Sequence, residues 1–289
     1  MVRPRHDFGV DIASFDLNTL LRTSWEAEKD RSSMIQVLPT SGLIKKEKRR
    51  RLDFTVYEVF STLFFSSLLE KYTQLFGSQG DLTLYSPQTI KIQYGQEGDN
   101  DSLSSTIYEL FCPGTPLNRI EHRKKKDLKV ENESVNVADK VMYLSGVMYE
   151  VFLREGIVHG DPQLRHFILL PKMNPVYHLD ENGLLQGRES NSGIATIDVE
   201  HARVFGDYSS ESDLEGKRFK YRIFERFLKP SERGEEYFDR GVDFVRNVCD
   251  SSKTFSPEIM IFTKDCFDRF FPGSKVKEVN LEKGTVNWY

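Results

Sequence analysis

The sequence predicts an α+β fold with an antiparallel sheet in its first part and mainly helices in its second. Short apolar segments separated by Pro- and Gly-rich turns occupy the first part, and a long aromatic helix pattern interrupts them. Amphipathic helix patterns then fill the chain from about residue 213 to residue 271. The 289 residues are enough for two lobes that each have a core.

The composition is that of an ordinary globular protein, with 29 % charged residues, 38 % hydrophobic residues and a formal net charge of −4. This charge neither favours nor excludes a nucleic-acid or membrane partner. Cys112, Cys249 and Cys266 show no metal-ligand spacing, which predicts reduced core thiols. The N-terminus has no apolar signal core, so we expect a cytoplasmic or nuclear protein without a transmembrane segment.

The sheet-forming part has a regular order of elements. Residues 1–34 are interpreted as an extension packed on the main fold, with a helix at 16–29. Segments 34–38 and 43–46 flank a Pro/Gly turn, which is typical of a hairpin. Apolar and aromatic residues then recur at helical spacing over 52–76, and this pattern predicts a long core helix.

Further strands follow this helix and end at a boundary. They are predicted at 82–85, 89–94 and 106–111. The Cys-Pro-Gly-Thr-Pro-Leu segment at 112–117 is rich in helix and strand breakers and precedes a run of helices. The chain is therefore divided into an extension, a sheet-rich lobe and a helical lobe, at 1–34, 35–112 and 113–289.

A helix, a loop and a strand in succession present an acidic residue at the loop. The apolar face of 135–154 predicts a buried helix that stops before Gly156. The loop contains His159-Gly160-Asp161, and an apolar strand at 167–170 follows it. Loops between buried elements are common positions for reactive side chains.

A second acid follows a second short strand. Residues 194–197 form an apolar segment that ends at Asp198. If the two strands form a hairpin, Asp161 and Asp198 lie at the same edge. Two such carboxylates suit phosphoryl transfer, in which one accepts the proton of the attacking hydroxyl and the other holds a metal ion. The polar residues 171–193 between the strands are predicted to be a loop. This loop either gates access to the site or is a surface loop without such a role.

These motifs resemble those of small atypical kinases. His159-Gly160-Asp161 and the segment Ile197-Asp198-Val199-Glu200-His201-Ala202 are similar to their catalytic and metal-binding loops. The relatives are the RIO kinases, the KEOPS-complex kinase, the aminoglycoside-phosphotransferase-like enzymes and the lipopolysaccharide-core kinases. Segment 43–46 resembles their lysine-bearing strand and 108–117 their interlobe hinge, so the resemblance covers roughly residues 35–230.

The resemblance implies a bilobal protein-kinase-like fold, with an antiparallel-sheet N-lobe and a mainly helical C-lobe. It implies an ATP-dependent phosphotransferase that uses Mg²⁺ or Mn²⁺, with Asp161 as catalytic acid/base and Asp198 as metal ligand. His159 belongs to the catalytic motif, where it either takes part in catalysis or only holds the loop in place. Backbone groups of Glu109 and Phe111 would bind the adenine edge.

The resemblance also implies a lysine that pairs with the α- and β-phosphates of ATP. Lys45 is the first candidate and Lys46 the alternative. Glu58, on the following helix, is the first candidate to hold this lysine, and Glu70 is the second. The alternative for Lys45 is a solvated position, because it begins a charged run over 45–51.

Three positions depart from the kinase pattern. Protein kinases place Asn five residues after the catalytic Asp, whereas this chain has His166, as lipopolysaccharide-core kinases do. His166 is thus a candidate metal ligand, although nitrogen suits magnesium poorly. Val199-Glu200 stands where protein kinases have Phe-Gly. The chain also has no Gly-rich loop before Lys45, and only Gly42 is available there to let the backbone approach a phosphate. The alternative hypothesis is therefore a pseudokinase that acts as a binding or scaffold protein.

The partners of the chain are only partly predicted. ATP is the expected nucleotide, and the acceptor is an unidentified hydroxyl compound such as a protein, a sugar or a small molecule. The basic runs at 45–51 and 122–126 could contact RNA or anionic lipid. Neither run is interleaved with aromatic residues or carries an RNA-binding signature, so we favour solvated surfaces over a nucleic-acid partner.

Overall fold

A computed structural model describes most of the chain. The described residues are 6–9, 26–29, 33–38, 43–77, 82–96, 103–120, 128–130, 133–172, 175–180, 185–189, 192–231, 233–250 and 253–289. The helices α1 to α5 within them are Leu52–Gly77, Val137–Arg154, Ser210–Phe227, Gly234–Val248 and Ser256–Phe270. The strands β1 to β18 are His6–Gly9, Glu26–Lys29, Ser33–Leu38, Leu43–Arg50, Thr83–Tyr85, Thr89–Gln96, Leu103–Leu110, Thr115–Pro116, Leu128–Val130, Glu133–Val135, Ile157–Val158, Phe167–Leu170, Pro175–Leu179, Leu185–Glu189, Gly193–Thr196, Arg203–Val204, Val276–Asn280 and Thr285–Trp288.

The first sheet is antiparallel and has the strand order β1-β6-β7-β4-β3-β2. The predicted hairpin of β3 and β4 is confirmed, with Leu38 opposite Leu43, and its turn at 39–42 lies outside the described residues. Strands β1 and β2 come from the first 34 residues and form the two edges of this sheet.

The helix predicted at 16–29 is wrong in its last four residues, because these form β2. The sequence Glu-Ala-Glu-Lys favours a helix, but pairing with β3 outweighs that local preference. The preceding residues, 16–25, lie outside the part of the chain that the structure describes.

Helix α1 follows β4, as predicted, and is buried on almost every side. A helix that is apolar all round belongs in a core. Its aromatic side chains contact both neighbouring helices: the ring centroids of Phe60 and Phe267 of α5 are 5.7 Å apart, and those of Phe65 and Phe152 of α2 are 6.2 Å apart. The helix therefore joins the first sheet to the helical lobe.

Among the described residues, α1 is the one helix long and apolar enough to cross a membrane. One such helix is weak evidence for a membrane span, because the core helix of a soluble protein passes the same test, and 83 % of the most apolar window of α1 is buried inside the protein. The expectation of a chain without a transmembrane segment therefore stays a prediction.

A second sheet, β5-β15-β12-β8, combines β5, which precedes the segment 112–117, with three later strands. The predicted hairpin of β12 and β15 is confirmed, with Phe167 opposite Thr196. Strand β5 was predicted among the antiparallel strands, but it pairs in parallel with β15. The local sequence of a strand shows its apolar pattern and does not specify its partner.

The insert at 171–193 is not the structureless loop that was predicted. It contains the antiparallel pair β13 and β14, with Val176 opposite Arg188. The Asn182-Gly183 turn signal lies between these strands, outside the described residues. An Asn-Gly pair between two short strands is the signal of a hairpin, and the polar composition concealed it.

The four later helices confirm the sequence prediction. Asn136 caps α2 by accepting a hydrogen bond from the backbone N–H of Asp139, at 2.9 Å. Ser209 and Ser212 form a reciprocal cap at the start of α3.

Cys112, Cys249 and Cys266 are free and buried. Strands β17 and β18, which were not predicted, form a final hairpin.

Candidate active site

The loop after α2 holds Asp161 between two short strands, β11 and β12. Gly160 has a φ of 85°, and a Cβ there would lie 2.5 Å from the carbonyl oxygen of His201. Only glycine fits this position, because another residue would meet backbone and adopt a disfavoured conformation. The backbone before Asp161 is therefore fixed against the segment that follows Asp198.

His159 is fully buried beneath this loop. Its Nε2 lies 3.0 Å from Thr196 Oγ1 and 3.1 Å from the carbonyl oxygen of Ile197, to which an Nε2–H can donate. Burial, followed by the neighbouring His166, lowers the pKa of His159 to about 4. The neutral, enclosed imidazole of His159 therefore connects its loop with the end of β15.

A carboxylate that was not predicted anchors the same loop. Glu215 of α3 accepts hydrogen bonds from the backbone N–H groups of His159 and of Gly160, the latter at 3.0 Å. Burial raises the pKa of Glu215, and the two hydrogen bonds act against this rise. The sequence gives little indication of this role, because Glu215 lies among the alternating charges of an amphipathic helix.

Asp198 follows β15 in a left-handed backbone conformation, with φ 61° and ψ 45°. Among the described residues it is the one non-glycine residue with a positive φ. Such strained conformations cluster at functional sites. The next residue, Val199, is buried, so the apolar side chain holds the turn that directs Asp198 to the cleft.

His166 lies between the two predicted carboxylates. Its Nδ1 is 3.7 Å from Asp161 Oδ2, and its Nε2 is 3.3 Å from Asp198 Oδ2. The Nδ1–H donates to the carbonyl oxygen of Asp161 at 2.9 Å, and Nε2 accepts from Arg165 Nε at 2.9 Å. The hairpin thus brings Asp161 and Asp198 together at one edge, separated by one imidazole.

The donor atoms at this edge are compatible with a divalent cation. Mg²⁺ is usually held by one or two carboxylates together with substrate phosphates, and Asp198 and Asp161 supply such oxygens. In the part of the chain that the structure describes, no three His, Cys, Asp or Glu side chains form a complete metal site. The Nε2 of His166 is engaged by Arg165, so the carboxylates fit Mg²⁺ better than this imidazole does.

Lys46 of β4, whose side chain is 12 % exposed, lies in a group of carboxylates. Its Nζ lies 2.7 Å from Glu109 Oε2 and 3.5 Å from Glu58 Oε1. Burial alone would lower the pKa of Lys46, but the charges of Glu109, Asp198 and Glu200 raise it above its ordinary value. Lys46 is therefore a charged ammonium group close to Asp198.

A small cleft connects this lysine with the loop that carries Asp198. It is lined by Lys46, by Glu58 and Thr62 of α1, by Glu109 of β7, by Ser86 and Pro87, and by residues 197–199. Lys46, its two glutamates and Asp198 therefore face one space.

The other predicted binding residues are elsewhere. Lys45 points to the opposite face of β4, where its Nζ lies 2.5 Å from Glu47. Glu70 is paired with Arg188 of β14 at 2.7 Å. The side chain of Phe111, just after β7, is exposed. Gly42 and the basic run at 122–126 lie outside the described residues.

These elements follow each other in a fixed order around the cleft. A lysine lies on an antiparallel strand, and a helix with a glutamate near that lysine comes next. The loop with Asp161 and the loop with Asp198 then follow, joined by the hairpin of β12 and β15. The chain thus has an α+β fold in which an antiparallel sheet is followed by a mainly helical part.

The chain is similar to solved structures of kinases and phosphotransferases. The structure of WaaP in complex with acyl carrier protein matches at 10 % identity and a TM-score of 0.43, covering 92 % of this chain and 99 % of that one. Vaccinia related kinase 3 matches at 13 % identity and a TM-score of 0.37, covering 85 % and 79 %. The aminoglycoside phosphotransferase APH(3'')-Id from Streptomyces rimosus matches at 12 % identity and a TM-score of 0.32, covering 89 % and 99 %. No protein-family model and no curated protein matches the chain.

Proposed function

We propose that the protein is an ATP-dependent phosphotransferase that transfers the γ-phosphoryl group to a hydroxyl acceptor. The observation that carries this proposal is the placement of Asp161 and Asp198 on the two sides of His166, next to the cleft of Lys46. Phosphoryl transfer depends on positioning and charge neutralisation, which two carboxylates and a lysine supply.

Asp161 is proposed as the residue that accepts the proton of the attacking hydroxyl. Its Oδ2 already accepts a hydrogen bond from Gln163 Nε2 at 3.1 Å and lies 3.7 Å from the Arg165 guanidinium. Oδ1 is therefore the oxygen better placed to receive the proton. The fixed backbone at Gly160 holds this carboxylate in one orientation.

Lys46, rather than Lys45, is proposed to bind the nucleotide phosphates. It is mostly buried, charged and next to Asp198, whereas Lys45 pairs with Glu47 on the other face of the strand. Asp198 would hold Mg²⁺ or Mn²⁺ through its carboxylate, with Asp161 nearby. When bound, the metal ion would neutralise charge on the phosphates.

A thermal-shift titration with ATP tests the proposal. Ligands that bind the folded state raise its melting temperature, so ATP with Mg²⁺ or Mn²⁺ should raise Tm more than ATP alone. Transfer of labelled γ-phosphate to a panel of proteins, sugars and small hydroxyl compounds then identifies the acceptor class. If no metal-dependent stabilisation and no transfer is observed, the chain is a pseudokinase with a binding or scaffold role.

A further inference from the structure

Lys46 has two carboxylate partners that come from different kinds of element. Glu109 lies on β7, the strand that pairs with β4, and Glu58 lies on α1. Glu109 is opposite Ile44, two residues before Lys46. Side chains two residues apart on a strand share a face, so Glu109 is a diagonal neighbour of Lys46 on that face.

The two contacts differ in length. The distance of 2.7 Å between Lys46 Nζ and Glu109 Oε2 is that of a charge-assisted hydrogen bond. The distance of 3.5 Å to Glu58 Oε1 is beyond the usual hydrogen-bond range. Glu109 is only 3 % exposed, so its ion pair is poorly screened by solvent.

We infer that Glu109, rather than the helix residue Glu58, is the positioning residue for the phosphate-binding Lys46. This inference rests on the proposed function. Backbone hydrogen bonds between β4 and β7 fix the separation of the two residues. Lys46 therefore keeps its position even if α1 shifts and carries Glu58 away.

The contact with Glu109 leaves Lys46 able to bind phosphate. An ammonium group has three N–H donors, and one of them is directed to Glu109. The second oxygen of Glu109, Oε1, is buried without a hydrogen-bond partner among the described residues. The opposite effect, in which Glu109 withholds Lys46 from phosphate, would make nucleotide binding tighter when Glu109 is neutralised.

Three matched Glu→Gln variants separate these possibilities: Glu109→Gln, Glu58→Gln and the control Glu47→Gln. Glu47 forms the same kind of pair with Lys45 on the other face of the strand. Losing a charge-assisted hydrogen bond corresponds to about a tenfold change. We expect Glu109→Gln to raise the Kd and KM for ATP–Mg²⁺ about tenfold with a smaller change in kcat, and Glu58→Gln to raise them less than about threefold.

The inference is overturned if Glu58→Gln has the larger effect, or if Glu109→Gln leaves binding unchanged or makes it tighter. Glu47→Gln should bind like the wild type. If Glu109→Gln does not fold, Glu109→Asp gives the same comparison, because it keeps the charge and shortens the side chain by one methylene.

A measurement without nucleotide keeps this inference separate from the proposed function. A buried, hydrogen-bonded lysine ammonium exchanges its protons slowly and is visible in ¹H–¹⁵N spectra, where Lys46→Met assigns the signal. The Lys46 signal should disappear in Glu109→Gln and persist in Glu58→Gln; the reverse pattern rejects Glu109. If the wild type does not bind ATP, the proposed function fails while this spectrum still decides which residue holds Lys46.

Discussion

Asp161 and Asp198 are held by different local structures, which separates the effects expected from neutralising each one. Asp198 occupies a strained left-handed conformation beside the cleft, and Asp161 lies on a loop anchored through backbone N–H groups. In the proposed mechanism, Asp198 holds the metal ion and Asp161 receives the proton.

Replacing Asp198 by Asn should abolish the metal-dependent part of the thermal stabilisation by ATP, because the amide removes the negative charge that attracts the cation. Asp161→Asn should keep that stabilisation and lower kcat by about 100-fold or more, the range for loss of a general base. Thermal-shift titration and transfer of labelled phosphate measure the two effects. Retained metal dependence in Asp198→Asn would show that the metal is held elsewhere.

The buried His159 should make stability depend on pH. Its pKa of about 4 in the folded protein lies below the ordinary value of 6.5, so the unfolded chain binds its proton first as pH falls. The stabilisation is complete above 6.5 and decreases as pH falls to about 4, by up to about 3 kcal/mol.

Urea unfolding across this pH range measures the effect. His159→Gln cannot titrate, so its free energy of unfolding should fall less steeply with decreasing pH than that of the wild type. His201→Gln is the control, because the side chain of His201 is 64 % exposed. Equal slopes in the wild type and in His159→Gln would contradict the assignment of a neutral, buried imidazole.

Side-chain contacts with Glu70 hold the β13–β14 hairpin against α1. Arg188 donates to Glu70 Oε2 at 2.7 Å, and His178 Nε2 lies 3.7 Å from Glu70 Oε1. Arg188→Met should lower the free energy of unfolding by about 1–3 kcal/mol, since it leaves the Glu70 carboxylate buried with a weaker partner. Lys264→Met, which breaks an exposed pair with Asp268, should cost less than about 0.5 kcal/mol. Equal urea midpoints for the two variants would show that the hairpin is not held by this pair.

Helix α3 anchors the loop that carries Asp161 through one side chain, that of Glu215. Glu215→Gln can accept only through its single amide oxygen, so one of the two backbone N–H groups loses its partner. We expect kcat to fall about tenfold with little change in KM for ATP, because the loop and not the nucleotide site is loosened. Glu211→Gln, one turn earlier and exposed, is the control. A rise in KM without loss of kcat would place Glu215 in nucleotide binding instead.

The elements that the sequence predicts well are those whose own residues determine them. Helices α2 to α5 have a clear apolar periodicity, α1 is a long segment that is apolar on all sides, and β12 and β15 are short apolar runs. The residues of one segment do not determine which distant segment it pairs with. For this reason neither β2 nor the parallel pairing of β5 was predicted. Strand alternation places Lys45 and Lys46 on opposite faces but does not say which face α1 covers.

In the whole molecule, α1 belongs to both lobes. Phe267 of α5 is fully buried against Phe60 of α1, so Phe267→Ala should cost about 3–5 kcal/mol. Because α1 joins the sheet to the helices, circular dichroism and tryptophan fluorescence should follow one cooperative transition in urea. Ile261→Ala, on the exposed face of α5, is the matched control and should change stability by less than about 0.5 kcal/mol. Two separated transitions would show that the lobes unfold independently.

The final hairpin also reaches α1. Trp288 Nε1 donates to Asp53 Oδ1 at 2.8 Å. The Tyr57 hydroxyl donates to the carbonyl oxygen of Ala202 and lies 3.3 Å from that of Leu281, 224 residues later. During translation at about 5–20 residues per second, Leu281 follows Tyr57 after roughly 10–45 s. For that time an apolar helix of 26 residues has left the ribosome before its covering strands exist. We therefore expect chaperones that shield apolar segments to bind the nascent chain, and slowing elongation should lengthen their association with it.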